Sequence, residues 1–147
     1  MKGNNMKMIH RALILLHLFV GIGAMAGGLA AITNPNSPMG MPVDALKNSP
    51  FSNFPIPGLF LFGFIGLGNI FGALMFRFKS RFQGYISGLL GGVLVLWIII
   101  QCIMLWSVVS LHVIFFVIGL MQGGLSLVLL FDKNMFPFNI LRKLFGK

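Results

Sequence analysis

Acidic side chains are nearly missing from this chain. It holds two, Asp44 and Asp132, and no glutamate, so a paired-carboxylate acid/base site would have to bring those two together. Cysteine occurs once, as Cys102, which excludes an intrachain disulfide, a CxxC redox pair and a cysteine zinc site. The histidines His10, His17 and His112 fall in no HExxH or comparable ligand spacing, and no GxSxG, P-loop or GxGxxG stands in its structural context. Charge of either sign is scarce at 9%, against roughly 25% in a soluble domain. A soluble fold is excluded on that ground, and neither enzyme activity nor a cofactor or metal is expected.

Apolar residues fill the space left by charge. They make up 57% of the chain and mean hydropathy is +0.94; 147 residues supply about four membrane crossings of roughly 20 residues each. The first runs over about 12–32, after Lys2, Lys7 and Arg11. Ala24-Met25-Ala26 also matches a signal-peptide cleavage pattern, but the apolar run continues to Ile32, past the end of a signal peptide's apolar core, so an uncleaved helix is expected. The second crossing is placed at 57–76, closed by Arg77, Lys79 and Arg81. The 48 uncharged residues from Gly84 to Phe131 would make one helix of about 72 Å, more than twice the hydrocarbon thickness. They must fold back, and Trp106–His112 (WSVVSLH) is the best break, giving crossings at 84–105 and 112–131. The expected fold is an all-α, four-helix membrane bundle forming a single domain over 1–147.

Ten of the eleven Lys and Arg residues lie at one side of this arrangement and only Lys47 at the other. The positive-inside bias then puts both termini, the 77–83 loop and the basic tail 132–147 in the cytoplasm, against anionic lipid headgroups. Charge placed beside apolar runs in this way sets topology, so the net +9 does not read as a nucleic-acid footprint. Asp44 and Asp132 fall on opposite sides of the membrane, as do His10 and His112, which removes the remaining catalytic and metal combinations. In the tail, Phe138, Leu141, Leu144 and Phe145 share one helical face with Arg142 and Lys143 off it, an interfacial anchor.

Each crossing carries glycines four apart: Gly23/Gly27, Gly68/Gly72, Gly84/Gly88/Gly92 and Gly119/Gly123. One small-residue face per helix lets backbones approach closely, and packing within the chain is expected in preference to a dimer face. No Asp, Glu, Lys or Arg lies inside a crossing, which argues against a proton-coupled antiporter. The polar groups at depth are His17, Asn69, Gln101, Gln122 and Ser126. His17, Asn69 and Gln122 form a candidate intramembrane network, read as cross-helix hydrogen bonding in preference to a solute path.

The outer loop, 33–56, belongs to a segment (Thr33–Gly58) that holds six of the seven prolines. Asn34-Pro35 starts a turn, Pro42–Lys47 reads as a short helix with Asp44 near its positive end, and Ser49-Pro50 stops it. Phe51 and Phe54 are expected to tuck against the outer helix ends as part of an ordered cap. That cap serves either to seal the helix ends or as an interaction surface built on Asp44, Pro50, Phe51, Phe54, Pro57 and Gly58.

The loop residues Gly40-Met41-Pro42, Leu46, Ser49-Pro50-Phe51, Phe54 and Ile56-Pro57-Gly58 resemble the outer loop of a set of small, uncharacterised bacterial four-helix membrane proteins. The resemblance covers the first half of the chain; the second half matches in hydropathy alone. It implies a bacterial inner-membrane location and carries no activity with it. An accessory protein engaging lipid or another membrane protein is the leading functional expectation. A small transporter or channel subunit for a neutral or hydrophobic solute, lined by His17, Asn69 and Gln122, is the alternative.

Overall fold

The computed structural model describes residues 3–145. Four apolar helices run up, down, up and down: α1 (Gly3–Thr33), α2 (Pro55–Arg77), α3 (Gln83–Leu105) and α4 (Ser110–Asp132). A short α5 (Phe138–Phe145) follows. α1 packs along the full length of α2, α3 along α4, and contacts of α4 with α1 and of α2 with α3 close the ring. Each of the four is long and apolar enough to cross a bilayer, and exposed Leu, Ile, Val, Phe and Met side chains cover their outer faces. The chain is a multi-pass, all-α membrane protein.

The helices extend beyond the expected crossings. α1 starts at Gly3, so Lys7 and Arg11 ride on helix outside the apolar segment. Flanking charge marks the edge of hydrocarbon, whereas a helix continues until its backbone is capped. α1 ends where the Thr33 hydroxyl donates to Leu29 O at 2.9 Å and Asn34 N–H to Ala30 O at 3.0 Å. α2 begins two residues early because Pro55 and Pro57 both fit a first helical turn, having no N–H to leave unpaired. Its middle, Leu61–Leu67, winds as a π-helix.

Between α3 and α4 only residues 106–109 lie outside the helices. Trp106 makes the turn with φ of 46°, a left-handed conformation that costs a bulky residue about 1–2 kcal/mol. α4 then starts with Val109 N–H donating to His112 Nδ1 at 3.3 Å. At the opposite end, Tyr85 Oη donates to Phe136 O at 2.9 Å and ties the segment before α5 to the first turn of α3. The side chains of Leu141, Leu144 and Phe145, which carry most of the expected tail face, and of Arg142 lie outside the described residues, as do Lys2 and Lys147.

The glycine pattern needs correction at several positions. A Cβ on Gly92 or Gly123 would meet no heavy atom within 4 Å, so these two are not required for packing. One on Gly23 or Gly27 would meet only side chains, at 3.3 and 3.4 Å. The α1–α2 approach rests on glycines outside the expected pairs: a Cβ on Gly28 would lie 2.6 Å from Phe62 N and 2.7 Å from Gly58 O, and one on Gly21 3.2 Å from Gly66 O. Between α3 and α4 the contact is Gly91 against Gly119 O and Gly123 N, both 2.8 Å, with Gly84 against Leu130 and Gly88 against Ser126 Oγ. Gly68 and Gly72 face Leu90, and Gly72 also leaves room for the His17 ring at 3.1 Å. Spacing of four finds a small-residue face, but the crossing point selects which glycines meet backbone.

The core is layered. Ile9, Leu13, Phe76 and Leu129 pack near the basic end. Val20, Ala24, Ile65, Leu94, Trp97 and Ile98 form the central cluster. Ala31, Leu46, Phe54 and Met104 join the loop to the bundle, with Phe51 partly buried beside them. The loop is clasped at its base by Phe54 N–H donating to Pro35 O at 3.1 Å. It contains two 3₁₀ turns, Pro38–Gly40 and Val43–Leu46. The second falls inside the expected helix Pro42–Lys47, with 2%-exposed Leu46 as its plug.

Candidate functional site

Four helices each send a polar side chain to one buried point between the two deeper apolar layers. His17 (α1), Asn69 (α2), Ser87 (α3) and Gln122 (α4) are all 0% exposed. Asn69 is the hub. Its amide donates to Ile65 O, in the π-helical segment, at 2.8 Å, which turns Oδ1 towards His17 Nδ1 at 2.7 Å and Gln122 Nε2 at 2.9 Å. A carbonyl oxygen only accepts, so the His17 proton sits on Nδ1, leaving Nε2 of the neutral ring to accept from the Ser87 hydroxyl at 2.9 Å. Gln122 Nε2 then lies 2.9 Å from a second donor, His17 Nδ1, and Gln122 Oε1 is buried with no partner among the described residues. Flipping that amide would satisfy His17 and set two acceptors against each other at Asn69.

The expected network of His17, Asn69 and Gln122 thus meets in one place, with Ser87 as a member that sequence reading missed. Ser87 lies among the small residues of Gly84–Gly91 and gave no signal of its own. Ser126 sits one turn beyond Gln122 and bonds Gly123 O at 2.7 Å. A second pair lies nearer the basic end: Gln83 Nε2 donates to His10 Nε2 at 2.8 Å, while His10 Nδ1 donates to Met6 O at 2.7 Å.

At the loop end the bundle is hollow. A cavity of ≈ 240 Å³ lies beneath the cap, walled on α1 by Gly23, Ala24, Gly27 and Ala31, whose small side chains leave the space open. Phe54, Pro57 and Gly58 line it from the loop and the start of α2, and α3 supplies Trp97, Gln101 and Met104. Trp97 stacks on Phe60 with ring centroids 4.5 Å apart, and its indole Nε1–H is buried without a partner among the described residues. Gln101, one turn further along the same helix face, shares this wall. Against a largely apolar lining, the Gln101 carboxamide and the His112 imidazole are the polar side chains available to orient an occupant.

This placement corrects the expected cap surface. Asp44 and Pro50 are exposed, but Phe54, Pro57 and Gly58 are buried and line the cavity from within. They face inward because Phe54 packs on Ala31, Leu46 and Met104, and Gly58 lies so close to α1 that a Cβ on it would come 3.0 Å from Gly28 O. The loop's exposed large apolar side chains are Met39 and Met41, with Ile56 at the start of α2. Neither this cavity nor a second groove on the outer side of α3 and α4 is lined by His17, Asn69 or Gln122. Among the described residues no group of three or more His, Cys, Asp or Glu is placed to hold a metal ion. No family model, curated protein or solved structure matches the chain.

Proposed function

We propose that this is a non-enzymatic membrane protein that holds one small, neutral, largely apolar molecule beneath its cap. The observation that carries the reading is the ≈ 240 Å³ cavity, in whose largely apolar wall Gln101 and His112 supply the polar side chains. Its size falls between the ~150 Å³ of an engineered cavity that takes benzene and the ~300 Å³ at which drug-sized pockets begin. Scaled from benzene, it suits an occupant of about ten heavy atoms. Neutrality follows from the lining, since an ion there would lie in a low dielectric without a counter-charge. Such a binder can act as an accessory to another membrane protein, sensing or presenting a lipid-derived molecule. The buried polar knot, closed on itself, is assigned the structural task of fixing helix register.

The reading extends to location. Lys7, Arg11, Arg77, Lys79, Arg81, Lys133 and Lys143 cluster at one end and Lys47 at the other, which supports a bacterial inner-membrane protein with both termini cytoplasmic and anionic lipid at the basic end. Alkaline phosphatase fused beside Lys47 is expected to be active and the same enzyme fused after Lys147 inactive. The reverse pattern would invert the topology.

Binding is testable with the protein's own fluorescence. The chain has two tryptophans, so a Trp106→Phe variant reports from Trp97 alone. In nanodiscs, 10-bromodecan-1-ol should quench it saturably. Gly27→Leu, whose Cβ meets only Leu61 at 3.4 Å, should fill the cavity and leave only the linear quenching of a probe dissolved in lipid. Equal, unsaturable quenching in both proteins would remove the binding reading.

A further inference from the structure

A second groove lies on the outer side of the α3–α4 pair, at the same end of the bundle as the capped cavity. It is formed by Ile98, Ile99, Cys102 and Ile103 of α3, the turn at Trp106–Val108, and His112, Val113 and Phe116 of α4. Ile99, Ile103, Trp106, Val108 and Val113 are exposed, so in a membrane-spanning chain the groove opens to lipid. Ile98 and His112 line both this groove and the capped cavity. The two spaces are therefore divided at the α3–α4 seam by these two side chains.

The seam is built differently along its length. From Gly84 to Gly91, α3 meets α4 through glycine, and at Gly91 the helices lie so close that a Cβ there would come 2.8 Å from Gly119 O and Gly123 N. At the loop end the contact passes to bulky Ile98 and His112 and to a turn held by left-handed Trp106. His112 is fastened to that turn, its Nδ1 accepting from Val109 N–H at 3.3 Å. A change in the turn would move the ring that divides the two spaces. A strained residue at such a position is where a two-state element is expected.

We infer that the occupant of the capped cavity enters sideways from the bilayer through the α3–α4 seam, with Ile98 and His112 as the gate and the Trp106 turn as its hinge. The inference rests on the binding reading above. It commits to a neutral amphiphile already dissolved in the membrane, because a route whose outer mouth is lined mainly by apolar side chains disfavours an ion. The competing route is the opening beside Met39 and Met41, which line the cavity and are 81% and 40% exposed on the loop.

The rate of quenching distinguishes the routes, with 10-bromodecan-1-ol delivered from vesicles to the wild-type protein in nanodiscs and the saturable part of the tryptophan quenching followed by stopped flow. Cys102 is the sole thiol and lines the groove, so alkylating it with N-benzylmaleimide plugs the outer mouth of a protein that is already folded. Quenching should then begin at least tenfold more slowly and reach the same final amplitude, and Cys102→Phe should do the same. An unchanged rate after Cys102 alkylation would overturn lateral entry while leaving the cavity reading intact. Absence of saturable quenching in the unplugged protein would overturn both.

Discussion

Asn69→Leu keeps approximate shape while removing the hub of the buried knot. Asn69 makes three hydrogen bonds, to His17 at 2.7 Å, Gln122 at 2.9 Å and Ile65 O at 2.8 Å. Cross-helix hydrogen bonds in membranes contribute about 0.6 kcal/mol on average and up to about 1.7, so losing the two that join helices costs about 1–3 kcal/mol, and the buried donors of His17 and Gln122 left unpaired add to that. Gln122→Met should be far milder. It removes one good bond, to Asn69, but also removes the buried unpartnered Oε1 and the crowding of two donors at His17. An orphaned buried acceptor costs about 1–3 kcal/mol, so the net change should lie within about 1 kcal/mol of zero. Reversible unfolding in mixed micelles, titrated with a denaturing detergent, gives both numbers on one scale. If Gln122→Met proves as damaging as Asn69→Leu, the assignment of Asn69 as hub and of the His17 proton to Nδ1 is wrong.

The glycines offer a matched pair: Gly28→Ala puts a Cβ 2.6 Å from Phe62 backbone nitrogen and should destabilise by about 1–3 kcal/mol. Gly92→Ala, with nothing within 4 Å, should be neutral or stabilise by up to about 1 kcal/mol in the same titration. In the cap, Phe54→Ala removes a 7%-exposed ring and should cost about 3 kcal/mol, more than Phe51→Ala at a half-buried site, while exposed Asn36→Ala should cost little. Limited proteolysis between Lys47 and Asn53 reads the cap directly, and cutting of the wild-type loop as fast as the Phe54→Ala loop would show that Phe54 does not hold it.

The crossings were legible because hydrocarbon thickness and charge impose a coarse pattern that LHLFVGIGAMAGG and its counterparts obey. The meeting of His17, Asn69 and Gln122 was legible too, since each was a rare polar group at a comparable depth. Finer features were not. LFGFIGL has the same apolar content whether it winds as an α- or a π-helix, and Trp106 carries no turn chemistry that marks it for a left-handed conformation. Which glycine meets backbone depends on where helices cross, so Gly28 and Gly91 outrank Gly92 and Gly123 for reasons that spacing does not encode. The cavity was the least visible element. It arises from small residues on α1 facing Trp97 and Gln101 across the bundle, a juxtaposition that exists only once the cap has turned Phe54 and Pro57 inward.

The central claim, that the capped cavity holds a molecule, is tested most directly by native mass spectrometry of the protein released from its own membranes. The account predicts a one-to-one adduct of a neutral molecule of about ten heavy atoms, scaled from the cavity as above, that is displaced by excess 10-bromodecan-1-ol and absent from Gly27→Leu. A bare chain, or an adduct retained unchanged in Gly27→Leu, would contradict it.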